Sequence, residues 1–159
     1  YWHLATRPEE LLAMPQGELR KLATPIDEKL SNAKFQTIVH GDAKLANFCF
    51  GANQVAAVDF QYVGRGCGMK DVAYFLSSCF YEDELPKLES QLLEIYFQEL
   101  EGSLPEAINF VALKGEWLNL YDYAWADFVR FLQGWMPGHR KLNQYSLEKT
   151  GRVISELSV

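Results

Sequence analysis

No stretch of this chain stays apolar for the roughly 20 residues that a membrane-spanning helix requires. Cysteine is scarce: Cys49, Cys67 and Cys79 are three, an odd number at irregular spacing. Such a set argues against a disulfide framework and for a reducing, cytoplasmic setting, and without a CxxC pair or a histidine-rich tract it offers no zinc site. All three read as small apolar or loop residues. Basic residues are outnumbered, 15 Lys and Arg against 21 Asp and Glu, and they form no patch of the kind nucleic acid demands. Internal repeats, low-complexity tracts and interdomain linkers are missing. Glycines do cluster at Gly64-Arg65-Gly66-Cys67-Gly68, but the GxGxxG spacing of a phosphate loop fails there. The opening Tyr1-Trp2-His3 lacks Met and does not read as a signal peptide.

What remains is a globular chain of 159 residues, 48% hydrophobic and 14% aromatic, long enough for one domain with a proper core. Thr6-Arg7-Pro8-Glu9-Glu10 is expected to open a helix, with Thr6 as its cap. Leu19, Leu22, Ile26 and Leu30 follow at helical spacing, with a break or a new start at Pro25. Gln36 to Val39 reads as a short strand. Asn47 to Phe50 and Val55 to Asp59 read as a hairpin around Gly51-Ala52-Asn53, and residues 61 to 70 as a loop. Beyond Asp71, expected to cap Val72 to Phe80, the chain is helical: 83 to 100, a long aromatic helix over 106 to 133 with Gly115 as a candidate split, and a last helix from about Ser146 to Leu157.

Two short stretches carry the chemistry. His40-Gly41-Asp42-Ala43-Lys44-Leu45-Ala46-Asn47 is followed by Val58-Asp59-Phe60, across the expected hairpin. Phosphoryl transfer needs a carboxylate to orient a hydroxyl, a cation to neutralise the moving group, and oxygen ligands for Mg²⁺. Asp42 suits the first task, and Asn47 with Asp59 the last. Singly, each has a plainer reading: a turn-forming Asp, an Asn at a strand start, an Asp at a strand end. Their joint spacing is what favours the functional one. His40 suits a supporting role, its imidazole bonded to nearby backbone.

The pattern H-x-D-x-K-x-x-N resembles the catalytic loop of protein kinases, with Gly41 where those carry Arg. More narrowly, His40-Gly41-Asp42, Asn47 and Val58-Asp59-Phe60-Gln61 resemble the aminoglycoside phosphotransferase and choline kinase superfamily. Asp59-Phe60-Gln61 and Asp71-Val72-Ala73-Tyr74-Phe75-Leu76 look most like its ecdysteroid-kinase-like branch and that branch's uncharacterised bacterial relatives. The motifs span about residues 36 to 80. Lys44 is a departure, since many of these small-molecule kinases have His there. The resemblance implies ATP as co-substrate, Mg²⁺, and Lys44 on the γ-phosphate. It gives Asp71 a supporting role beside His40, and makes the glycine stretch a short activation-segment analogue. It also puts the acceptor on the helical part. Arg65, with Lys70, is a candidate for an anionic group. Glu116, Trp117, Asp122 and Asp127 on the long helix are candidates for a cationic or sugar-like alcohol, against the plainer reading of that helix as core with a solvated acidic face.

The expected fold is therefore α+β, the mostly helical C-terminal lobe of a protein-kinase-like phosphotransferase, with a small β-hairpin bearing the metal ligands. Kinases of this kind have two lobes. Only 39 residues precede His40, with no glycine-rich loop and no strand bearing a phosphate-pairing Lys. The chain thus reads as one domain, 1 to 159, lacking the nucleotide lobe, inactive in isolation, and sticky or dimeric through the exposed lobe interface. The expected function is Mg²⁺- and ATP-dependent O-phosphorylation of a small-molecule alcohol, cytoplasmic, with Asp42 as base. The alternative is a non-catalytic kinase-like module that binds a ligand or partner. A protein kinase is disfavoured by the HGD loop and by the lack of an Ala-Pro-Glu sequence.

Overall fold

The computed structural model describes residues 3–158; Tyr1 and Trp2 of the opening stretch, and Val159, lie outside it. Seven helices run in the order α1 (Pro8–Ala13), α2 (Glu18–Lys21), α3 (Ala23–Ser31), α4 (Met69–Cys79), α5 (Leu85–Ser103), α6 (Phe110–Trp135) and α7 (Gln144–Leu157). Four three-residue strands, β1 (Thr37–Val39), β2 (Phe48–Phe50), β3 (Val55–Ala57) and β4 (Gly64–Gly66), lie between α3 and α4. The class is α+β, mostly helical. Among the described residues, no helix is long and apolar enough to cross a membrane.

The long helix α6 is the axis. Asn109 caps it, its side chain accepting the Ala112 N–H at 3.0 Å. Its first half buries one stripe, Leu113, Trp117, Leu120 and Tyr121, while its second half is buried continuously from Tyr123 to Leu132. A helix apolar on all sides is one that neighbours surround. Here α1, α3, α4 and α7 pack around it. The α1 contact is close enough that a Cβ at Gly134 would lie 1.9 Å from the Glu10 carbonyl oxygen. Gly115 faces open space and does not split the helix, which runs unbroken from Phe110 to Trp135.

The helix α7 starts at a capping box in which Asn143 and Ser146 satisfy each other's backbone N–H. On α4, Met69, Ala73, Leu76 and Ser77 form the buried stripe. The two sheets are antiparallel pairs. In the hairpin Phe48 faces Ala57 and Phe50 faces Val55, and in the other pair Thr37 faces Gly66 and Val39 faces Gly64.

Three local expectations need correction. Thr6 does not cap α1: its hydroxyl bonds the His3 carbonyl, and Arg7 holds the cap position with its side chain turned to Glu9 and Glu10 instead. Asp71 does not cap α4, which begins at Met69, because its carboxylate is engaged elsewhere. Finally, the stretch read as a loop contains β4, whose partner β1 lies more than twenty residues earlier.

Candidate active site

The strand β1 delivers His40 to a sharp turn. Gly41 sits at φ 78°, and a Cβ there would come within 2.3 Å of the Tyr62 carbonyl oxygen. Only glycine meets both conditions, so an arginine at this position is incompatible with the turn. The carboxylate of Asp71, reaching up from the first turn of α4, accepts the N–H groups of His40 at 2.5 Å and Gly41 at 3.0 Å. Burial pushes the Asp71 carboxyl up, and the two N–H bonds pull against that rise. A second tether joins the same helix to the loop, where the Leu45 N–H donates to Ser78 Oγ at 2.7 Å.

The His40 ring joins the two motif stretches. Its Nδ1 accepts the Asp42 N–H at 3.2 Å, so the proton sits on Nε2, which donates to the Val58 carbonyl at 2.8 Å. The ring also packs 4.9 Å from Phe60 and 6.0 Å from Phe48, centroid to centroid. The segment that leads into Asp59 is thereby fixed against the loop that carries Asp42.

Asp42 is buried, 4% exposed. One carboxylate oxygen, Oδ2, accepts Lys44 Nζ at 2.9 Å and Asn47 Nδ2 at 3.1 Å. The Asn47 amide also donates to the Asp42 carbonyl at 2.8 Å. Among the described residues nothing bonds Oδ1, so one face of the carboxylate is held and the other is available. Asn47 closes a 3-10 turn, Leu45–Asn47, and its carbonyl accepts the Val58 N–H at 2.9 Å. That bond extends the hairpin by one pair, Asn47 with Val58, and Asp59 follows Val58 directly. Asp59 is exposed and occupies left-handed backbone at φ 65°, ψ 55°, the one non-glycine residue at positive φ among the described residues. Such a conformation is unfavourable by roughly 1 kcal/mol for most L-residues, somewhat less for Asp.

The donor set fits Mg²⁺. Two hard oxygens, Asn47 Oδ1 and an Asp59 carboxylate without an ion pair among the described residues, are what a phosphate-bridging ion takes from a protein. No cluster of three or more His, Cys, Asp or Glu side chains suited to a metal occurs among the described residues.

The remaining candidates lie apart from this cluster. Arg65, on β4, lines a different cavity of ≈ 400 Å³ with Lys70, Gly41 and Asp71. Glu116 accepts the N–H groups of Lys34 and Phe35 at 2.8 and 2.9 Å, and Trp117 is buried with its indole N–H on the Phe35 carbonyl at 2.9 Å. Together they hold the segment that precedes β1. Asp122 pairs with Lys149 and Arg152, and Asp127 is fully buried between Lys70 at 2.9 Å and Arg130 at 2.7 Å. Burial works to raise the Asp127 carboxyl, but the two cations outweigh it and hold it below the usual carboxylate range. All four α6 side chains are thus engaged in contacts within the fold.

What does face the catalytic loop is a cavity of ≈ 630 Å³, bounded by Lys44, Leu45 and Ala46 on one side and by the end of α6 and the turn after it on the other. Lys141, in that turn, lies close enough to Asp42 and Lys44 to feel their charges. Burial, with Arg140 acting in the same sense, lowers its ammonium to about 8. No sequence signal marked this residue: a lone lysine in a loop, far along the chain from the motifs, carries no pattern.

Comparison with known families gives one match. The ecdysteroid kinase-like family model matches residues 14–108, a span that contains the whole set from His40 to Asp71 and stops just before α6. That family falls within the protein-kinase-like superfamily of aminoglycoside phosphotransferases and choline kinases. No curated protein and no solved structure matches the chain.

Proposed function

The chain belongs to the ecdysteroid kinase-like family, and from that membership we propose that it carries the transfer site of a Mg²⁺- and ATP-dependent kinase for a small-molecule alcohol. The observation that carries the reading is the state of Asp42. Its Oδ2 is occupied by Lys44 and Asn47, and its Oδ1 is left for a substrate hydroxyl.

In this reading the acceptor O–H bonds to Asp42 Oδ1, which aims the oxygen at the γ-phosphorus. As the new P–O bond forms, the bond to the β,γ-bridging oxygen breaks, ADP leaves with that electron pair, and the hydroxyl proton passes to Asp42. Lys44 swings from Asp42 to the transferring phosphoryl oxygens, where its charge is needed. Asn47 and Asp59 would hold Mg²⁺, which offsets the phosphate charge when bound. His40 and Asp71 keep the loop in position by the backbone bonds described above. Such catalysis is mostly positioning plus electrostatics.

The test is Asp42→Asn in the full-length protein, assayed for phosphoryl transfer from ATP to a panel of alcohols and, separately, for nucleotide binding. The expected result is a loss of turnover of about 10²- to 10⁴-fold with nucleotide affinity within about twofold of wild type. Unchanged turnover, or parallel loss of rate and affinity, overturns the role given to Asp42. A wild type that binds nucleotide but phosphorylates nothing favours a non-catalytic binding module instead.

A further inference from the structure

Of the two buried lysines, Lys149 is paired with carboxylates and Lys141 is not, and the half-buried Lys70 is paired as well. Lys70 meets Asp127 at 2.9 Å, and Lys149 meets Glu89 at 2.7 Å and Asp122 at 2.9 Å. Lys141 is only 9% exposed, yet among the described residues no carboxylate lies within ion-pair distance of it. Its ammonium instead sits 4.4 Å from the centre of the Tyr74 ring and 5.3 Å from that of Phe128. Ring faces return part of what burial takes from a cation, not all of it.

Nor is the lysine on a loose loop. Its carbonyl accepts Ser146 Oγ at 2.7 Å, and its N–H donates to His139 Nδ1 at 3.1 Å. Ser146 is itself half of the capping box that starts α7. The backbone is pinned on both sides, so the stem is aimed by the fold.

The cavity onto which Lys141 opens has one sign of charge. Lys44, Arg140 and Lys141 line it, and no Asp or Glu does. Its other wall is aromatic, with Phe131 and Trp135 stacked at 15° and 5.6 Å between centroids. At ≈ 630 Å³ it is of the size that small-molecule sites have. One rim is the catalytic loop itself, at Lys44, Leu45 and Ala46, a stretch that begins two residues after Asp42.

We propose that this cavity is the acceptor subsite, that it takes an alcohol with an aromatic or apolar body and an anionic group such as a carboxylate, and that Lys141 binds the anion. The proposal rests on the phosphotransferase reading for what happens to the hydroxyl, but not for the binding itself. The ligand's carboxylate supplies the partner that the protein withholds from Lys141, and its body lies against Phe131 and Trp135. Charge-assisted bonding of this kind is among the stronger polar contacts, more so out of water. A cationic acceptor is excluded by the same argument, since the acidic side chains of α6 are committed to other cations.

The experiment measures binding without nucleotide. The ortho, meta and para isomers of hydroxymethylbenzoate are titrated against the full-length protein by NMR, each beside its neutral hydroxymethylbenzamide. The expected result is that at least one acid binds about tenfold or more tightly than its amide. Lys141→Met should erase that preference, and Lys141→Arg should keep part of it. Equal binding of acid and amide, no binding by any of the three acids, or a preference that survives Lys141→Met overturns the proposal. So does a Lys141→Met variant that loses nucleotide affinity while keeping the acid preference, because the anion recognised would then be the nucleotide's phosphate. The two readings fail separately. If acids bind through Lys141 but no phosphoryl group moves, the kinase reading falls and the subsite stands. If neutral alcohols are phosphorylated with no dependence on Lys141, only the subsite falls.

Discussion

Asp59 holds a backbone conformation that glycine adopts freely and other residues resist, and it holds it on the surface, where packing does not force it. A strained residue without a packing reason makes the side chain a candidate for function. Asp59→Gly separates the two, because it relaxes the turn while removing the carboxylate. The expected outcome is a melting temperature equal to or above that of wild type. Mg²⁺-dependent nucleotide binding should weaken and be partly recovered at high Mg²⁺. Nucleotide affinity measured across a Mg²⁺ series, together with a thermal melt of each protein, checks both halves. Coinciding affinity curves remove Asp59 from the metal site. The cluster of Asp42, Lys44 and Asn47 was legible because those residues lie within one tight loop, where spacing alone fixes what can meet. The hairpin was legible too, and its register sets Val58 opposite Asn47 with Asp59 next in the chain. Lys141 was not legible, since only tertiary packing brings the turn after α6 to that loop.

The helices are harder to read for charge than for hydrophobicity. Period 3.6 identified α4, α5, α6 and α7 to within a few residues, but could not say which acidic residues of α6 face water. Asp127 falls in the stretch that is buried all round, and its partner Lys70 comes from the first turn of α4. That pair pins α4, and through Asp71 the catalytic loop, to the central helix. Asp127→Asn removes the fully buried carboxylate that Lys70 and Arg130 share, and breaking a buried pair of this kind typically destabilises by about 3–5 kcal/mol. Urea denaturation should show the midpoint falling with an unchanged slope; a shift under about 0.5 kcal/mol would make the pair incidental. The sign with pH follows from the depressed carboxyl. Its stabilisation is present at neutral pH and is lost as acid titrates it below the ordinary carboxylate value. The strand β4 escaped notice for a different reason. Gly64-Arg65-Gly66 has no strand propensity of its own, and its pairing with β1 is a property of the fold.

Taken as one body, the molecule is acidic, with a formal charge of −6, yet it concentrates Lys44, Arg140 and Lys141 around a single cavity. Concentrating like charge against aromatic walls works against folding, and Lys141 gives a way to measure how much. Folded, its ammonium releases a proton near pH 8, against an ordinary lysine value of 10.5 for the unfolded chain. Between those values the unfolded chain binds more protons, so wild-type stability rises with pH across that window. Below it both states are charged and the folded one bears the full penalty. Lys141→Met removes the charge and keeps the packing volume, so at pH 7 it should be more stable than wild type by about 1–3 kcal/mol. The advantage should shrink as pH climbs from about 8 towards 10.5. Thermal melts of the two proteins at intervals between pH 7 and pH 10 give the comparison, and curves that stay parallel, or a less stable variant at pH 7, would show that the aromatic rings already compensate the charge. A carboxylate ligand added at pH 7 should raise the melting temperature of wild type and leave Lys141→Met unmoved, since only the wild type has an unmatched cation for it to neutralise.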